Sequence, residues 1–149
     1  MKNYILIEGK NFEKSRKEIK QNQGKLIIFS SEDEELNRKI LEKENIDILL
    51  LNQSNKKDKL KQRDSGLNQV MAKIAKTKNI AIGINLDEII HSEKTKRAKI
   101  LGRIIQNVEI CKKKKLKMVF FSKKENKNVY DLKALSLVLG MPTNMIKDF

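Results

Sequence analysis

Five arginines, Arg16, Arg38, Arg63, Arg97 and Arg103, stand among 28 lysines in this chain. Where lysine is the default cation, an arginine marks a place where the planar guanidinium fork has a use, and its natural counterparts are carboxylates and phosphates. Arg63 comes just before one helical pattern and Arg97 opens another. In βα architecture the loops after strands and the helix N-termini gather on one face, the usual ligand face, so both arginines can reach it. Free helix amides around Gly66 would add to an anion-binding surface there. Ion pairs of these arginines with Asp64, Asp87 or Asp131 are the structural alternative.

Other chemistries find little support. His91 is the only histidine and Cys111 the only cysteine, and they lie twenty residues apart, so neither a zinc site nor a Ser–His–Asp or Cys–His nucleophile is expected. His91 reads as a helix-end or surface residue. The six glycines are scattered and form neither a Walker loop nor a dinucleotide turn. Asp64, Asp87, Glu88 and Asp131 sit near expected helix starts, where capping is their default role. No catalytic residue and no metal ligand is assigned.

The formal net charge of +14 over 149 residues points to a polyanion, because basic surfaces gain free energy by releasing phosphate counterions. Drift toward Lys, Asn and Ile on solvated faces is the competing account. The charge is lopsided, however. Residues 1 to 62 hold 14 Lys+Arg against 11 Asp+Glu, whereas residues 63 to 149 hold 19 against 8. Uniform drift does not predict that, and a binding surface built mainly from the second part does.

YILIE (4–8), LIIFS (26–30), DILLLN (47–52), NIAIGIN (79–85) and KMVFFS (117–122) are short apolar runs without alternation, as in parallel strands covered on both faces. Helical patterns lie between them. Asn11 caps the first; Ser31 and Glu34 make a capping box for the second; NQSNKKDKLKQ (52–62) reads as a mobile loop; Asp64 or Ser65 caps the third, with Leu67, Val70, Met71 and Ile74 as its stripe and Lys73 outside. A long helix is expected from Glu93 to about Lys115, capped by Ser92. Its core side is Leu101, Ile104, Ile105, Val108 and Cys111; Arg97 lies near that side, and Lys96, Lys99 and Arg103 project opposite. Lys112 to Lys115 complement the helix dipole at its end, with an RNA contact as the other reading. Asn128 caps a last helix closed by Gly140.

Alternating strands and helices imply an α/β fold with right-handed crossovers, as an open doubly wound sheet or as part of a barrel. The stretch ALSLVLGMPTNMIKDF also imitates a helix-turn-helix, though five strands upstream do not suit one. One domain over residues 1 to 149 is expected, reducing conditions suit the lone cysteine, and no segment approaches the apolar length of a membrane span or a signal peptide.

RDSGLNQVMAKIAKTKNIAIGIN, RAKILGRIIQNVEICKKKKLKMVFFS and VYDLKALSLVLGM resemble, in order and spacing, the protein component 3 family of archaeal ribonuclease P, which is similar to the thirty-kilodalton subunit of the eukaryotic enzyme. The resemblance implies a partial or degenerate TIM-type barrel of mostly parallel strands with flanking helices. It also implies a role in tRNA 5′-end processing, removal of the 5′ leader from precursor tRNA, in which the RNA subunit and its magnesium ions carry the chemistry and this chain has no cofactor of its own. Implied partners are ribonuclease P RNA, precursor tRNA and ribonuclease P protein component 2, without a membrane, in the cytoplasm. The family's basic and loop residues fall on Arg63, Asp64, Gly66, Lys73, Arg97, Arg103 and Ser122. With Lys99 and Lys123 added, the expected RNA-binding set is Arg63, Lys73, Arg97, Lys99, Arg103 and Lys123, and Asp64, Gly66 and Ser122 form loop or anion-binding positions.

The family usually has a further βα region before Tyr4 and a tail beyond Phe149, and KNVY stands here where it commonly has arginine and proline. A general nucleic-acid-binding module and a degenerate TIM-barrel hydrolase are the alternative functions.

Overall fold

Five parallel strands pair in sequence order, β1 (Tyr4–Glu8), β2 (Leu26–Ser30), β3 (Ile48–Leu51), β4 (Ala81–Asn85) and β5 (Met118–Phe121), in a computed structural model that describes residues 3–58, 60–124 and 128–147. A doubly wound sheet reverses its order at a switch point. This sheet does not, so the partial-barrel expectation holds and the doubly wound one falls. Right-handed crossovers between sequential neighbours place the helices on one side. They are α1 (Phe12–Gln21), α2 (Glu34–Lys43), α3 (Gln69–Lys78), α4 (Leu86–His91), α5 (Lys94–Lys114) and α6 (Val129–Val138).

The helix-facing side chains of the strands, among them Ile7, Phe29, Leu49, Ile82 and Phe120, share the main core with the helices. The opposite face has its own smaller core of Ile28, Ile48, Leu50, Ala81, Val119 and Phe121, bordered by Tyr4, Leu6 and Leu26. The sheet curls far enough for its two edge strands to touch by side chains: the Tyr4 and Phe121 rings meet edge to face at 5.6 Å. Gly83 makes that curl possible, because a Cβ there would lie 3.0 Å from Ile48 and Leu50 side chains and 3.2 Å from Leu50 Cα. β1 and β5 share no backbone pairing, and the outer edge of β5 is met instead by a parallel bridge between Met118 and Ile146.

Several local expectations are corrected. The cap of α2 is Asp33, accepting from the Glu35 and Leu36 amides, while Ser31 accepts from Asp33 N. Helix α3 starts later than expected and is capped by Asn68 rather than Asp64 or Ser65. Ser92 ends α4 rather than capping α5, whose cap is Glu93, accepting from the Thr95 and Lys96 amides. Ile105 is 40% exposed, and the buried side of α5 runs through Ile100, Arg103, Ile104, Asn107, Val108 and Cys111. The helix has rotated to bury polar groups. Asn11 and Asn128 cap as expected, and Gly140, at φ 90°, follows α6. Beyond it the described residues form a 3₁₀ turn, Thr143–Met145, and no second helix among them completes a helix-turn-helix.

Candidate functional site

Inward-facing residues turn polar at the C-terminal ends of the strands, where side-chain hydrogen bonds link Ser30, Asn52 and Asn85 across β2, β3 and β4. Asn85 Nδ2 donates to Asn52 Oδ1 at 2.8 Å, and Asn52 Nδ2 donates to Ser30 Oγ at 2.9 Å. Above this floor opens a cavity of about 510 Å³ lined also by Glu8, Lys10, Glu32, Asp33 and Glu88. Four carboxylates against one lysine make the mouth unsuited to phosphate.

A belt of polar contacts surrounds it. Glu88 accepts from the Gln53 amide at 2.7 Å and from Ser54 Oγ at 2.9 Å, which ties α4 to the end of β3. Asp87 accepts from Ser122 Oγ at 2.6 Å and from the Lys123 amide at 3.0 Å, which ties α4 to the end of β5. Partial burial pushes the Asp87 carboxyl up, but the hydrogen bonds from Ser122 and the Lys123 and Lys124 amides outweigh it and leave it below the ordinary carboxylate value. Lys123 Nζ then reaches Glu8 Oε1 at 2.9 Å, closing by charge the gap that the strands leave open. The expected RNA cation Lys123 is thus engaged with a carboxylate, and Ser122 is a loop fastener.

The loop between β3 and α3 is stapled rather than loose. Arg103, expected to project into solvent, is 4% exposed. Its Nε donates to Asp58 Oδ1 at 3.0 Å and its Nη1 to the Gln53 carbonyl at 2.9 Å. The Arg103 hydrogen bond holds the Asp58 carboxyl below its ordinary value. Asn107 and Gln53 both donate to the Ser65 carbonyl, and Gln106 donates to the Arg63 carbonyl and Ser65 Oγ. Burying a guanidinium costs less when carboxylate and carbonyl both meet it, and here the helix supplies the cation while the loop supplies the acceptors.

Sequence reasoning missed Asp58, Gln53, Ser65 and Asn107 in this staple. A signal existed in Arg103 and Asn107, which lie four residues apart on the otherwise apolar side of α5.

Arg63 is exposed, and its guanidinium lies over Gly102 of α5, where a Cβ would come within 3.1 Å of Arg63 Cζ. Lys99 is exposed one turn earlier on the same side of α5, so these two expected residues do share a surface. Lys73 is exposed on α3, which packs beside α5. Arg97 is half-buried and spent on backbone: Nε donates to the Ile89 carbonyl at 2.8 Å, and Nη2 donates to those of Ile90 and Ser92 at 3.2 and 2.7 Å. It serves as the C-terminal clasp of α4. The expected set therefore does not converge on one point.

Gly66 has φ 79° and lies before α3, so its amide is not a helix N-terminal donor; it donates to Asp64 Oδ1 at 3.3 Å. Asp64 also hydrogen-bonds Glu34, and this contact, with some burial, raises the Glu34 carboxyl above its ordinary value although Lys56 Nζ stands 3.2 Å away. Within the loop the Asp64 amide donates to Asp58 Oδ1 at 3.0 Å. His91 is exposed at the end of α4. Among the described residues no three His, Cys, Asp or Glu cluster so as to hold a metal ion, and no described helix is long and apolar enough to cross a membrane.

A family model described as RNase P subunit p30 matches residues 5–149. The chain is 30% identical over 132 residues to the ribonuclease P protein component 3 of Methanococcus maripaludis strain C6, covering 87% of this chain and 53% of that protein. It is 32% identical over 121 residues to the protein of the same name in Methanosarcina acetivorans, covering 81% and 47%. It is also similar, with a TM-score of 0.78 at 25% identity, to a chain in a cryo-EM structure of archaeal ribonuclease P with mature tRNA, covering 97% of this chain and 62% of that one. The chain spans about half the length of the curated relatives it matches.

Proposed function

Because the chain belongs to the RNase P subunit p30 family, we propose that it acts as a non-catalytic protein subunit of ribonuclease P, supporting the RNA subunit as it removes the 5′ leader from precursor tRNA. Its work is electrostatic. Lysines and arginines lower the repulsion between RNA segments, and the RNA with its magnesium ions carries out the hydrolysis. The setting is the cytoplasm.

The observation that supports this most is the contrast between a charge of +14 and a strand-end mouth that gathers carboxylates and amides in structural bonds. A chain of that charge suits a polyanion, whereas among the described residues nothing at the mouth is arranged as a nucleophile with its base. Protein component 2 is the proposed protein partner. On α6 it would meet Tyr130, Leu137 and Val138, which are 81%, 60% and 80% exposed and recur at helical spacing.

Reconstitution tests the proposal: cleavage of precursor tRNA by cognate ribonuclease P RNA and protein component 2, with and without this chain. A faster rate or a lower magnesium requirement is expected on addition. No change in rate, magnesium requirement or complex formation would sink it. Leu137→Asp with Val138→Asp is expected to abolish co-elution with component 2 while leaving the circular dichroism of the free chain intact.

A further inference from the structure

Three cations near the strand-end mouth pair with carboxylates, Lys56 with Glu34, Arg103 with Asp58 and Lys123 with Glu8, and Lys10 lines the mouth beside Glu8, Glu32, Asp33 and Glu88. The opposite end of the sheet differs. Helices α3 and α5 both end there in left-handed residues, Asn79 at φ 58° and Lys115 at φ 56°, which turn the chain directly into β4 and β5. Between the two turns lies a depression of about 100 Å³ lined by Lys76, Lys115, Lys117 and Lys147, with Ile80, Ala81 and Leu116 as its floor. Lys112 and Lys113 stand exposed in the last turn of α5 beside it. None of these six lysines forms an ion pair with a described carboxylate; Lys76 and Lys117 donate instead to the carbonyls of Lys115 and Asn144.

Helix-dipole complementarity alone does not account for this concentration. It favours a cation or two in any last turn, and α1 and α2 each carry one, Lys20 and Lys43. Helix α5 carries three, and Lys76 of α3 adjoins its end, with Nζ donating to the Lys115 carbonyl. Beneath α1 and α2 the charge is also mixed, since Arg16 faces Glu44 at 3.4 Å and Asp47 accepts from the Ile27 amide. The basic excess of the second part of the sequence is therefore concentrated under α3 and α5.

We infer that this lysine-lined base of the sheet, rather than the strand-end mouth, is the surface that holds RNA, and that it grips the phosphates of a double-stranded segment. The inference rests on the proposed role in ribonuclease P and names the face that performs it. Lysine ammoniums on flexible stems suit phosphates as point charges, whereas reading an unpaired base needs aromatic planes or forked donors. The lining offers only lysines, one asparagine and aliphatic side chains. Converging on a shallow depression, the lysines can meet both sides of a duplex groove without touching base edges.

Two triple variants of equal charge test this in the full chain. Lys112→Gln, Lys113→Gln and Lys147→Gln remove three charges from the base and spare the left-handed Lys115; Lys14→Gln, Lys17→Gln and Lys20→Gln remove three from α1. The probes are a fluorescein-labelled RNA hairpin of about 16 base pairs and a uridine oligomer of equal length. The base triple is expected to weaken hairpin binding about tenfold or more at low salt and to flatten the salt dependence by about 2 to 3 log units per log unit, against less than about twofold for the α1 triple.

Equal losses in both triples, or tighter binding of the uridine oligomer than of the hairpin, would overturn the inference. So would loss confined to a third variant, Arg63→Gln with Lys99→Gln. The reconstituted cleavage assay separates the two levels. Wild-type stimulation with an unimpaired base triple rejects the surface and keeps the ribonuclease P reading; base-dependent hairpin binding without wild-type stimulation rejects that reading and keeps the surface.

Discussion

Arg103 and Asp58 meet at 3.0 Å across 45 residues of sequence, and the same guanidinium bonds the Gln53 carbonyl at the start of the loop. The pair sets the path of the chain between β3 and α3 and so the position from which Arg63 emerges. Arg103→Met would keep much of the buried volume but orphan the Gln53 carbonyl, so a loss of about 1–3 kcal/mol in urea unfolding is expected.

The pair also carries a pH signature. Asp58 has a folded value depressed below 3.8, so its contribution is present above 3.8 and is lost as pH falls through the folded value. Arg103→Met should shrink that acid loss. An unchanged slope below pH 3.8 would mean that the hydrogen bond does not form in solution.

The strands were legible because each is an unbroken apolar run, and their ends shift by at most a couple of residues where backbone bonding continues past the last regular pair, as from Asp47 N to Ile27 O. What escaped was decided by polar partners distant in sequence. Arg103 looks solvent-facing when the apolar side of α5 is drawn through Leu101 and Ile105. It is buried because Gln53, Asp58 and Ser65 come to meet that side of the helix. Arg97 is as hard to place, since its acceptors are main-chain carbonyls of α4, a helix of six residues too short to leave a periodic signal. The lysines of the sheet base were visible as a run, Lys112 to Lys115, but their convergence with Lys76 and Lys147 needs the fold.

Glu34 and Asp64 form the reverse of the Asp58 case. Asp64 raises the Glu34 carboxyl above its ordinary 4.5, so the folded chain binds that proton more tightly, and stability falls as pH rises from 4.5 through the raised value. Glu34→Gln keeps a hydrogen-bonding group and removes the repulsion. Its melting temperature should equal or exceed that of the parent chain at pH 7, and the difference should disappear toward pH 4.5. A variant that melts lower at pH 7 would show that the Lys56 contact at 3.2 Å outweighs the carboxyl pair.

Gly102 is a seat for Arg63 within a helix, and the two demands on it can be separated. Replacing an interior helical glycine by alanine gains up to about 1 kcal/mol from backbone entropy. The new Cβ would stand 3.1 Å from Arg63 Cζ, the far end of a flexible chain that can shift at little cost. Gly102→Ala should therefore raise the melting temperature while moving Arg63. If the lysine base carries RNA binding, hairpin affinity stays within about twofold; a large drop would place Arg63 on the RNA.

Cys111 reports on whether α5 stays packed. Burial, with 0% exposure, pushes its thiol up to about 12, so near pH 8 only about one molecule in 10⁴ carries the reactive thiolate even before access is considered. Iodoacetamide labelling of the native chain should therefore follow opening of the helix: negligible over hours in buffer, complete within minutes at the guanidinium midpoint. Cys111→Ala keeps the site apolar, whereas Cys111→Ser places a hydroxyl in the main apolar core and should cost about 1–3 kcal/mol more if it finds no partner. Rapid native labelling would mean that the buried side of α5 opens far more readily than its contacts imply, and the Arg103 staple would open with it.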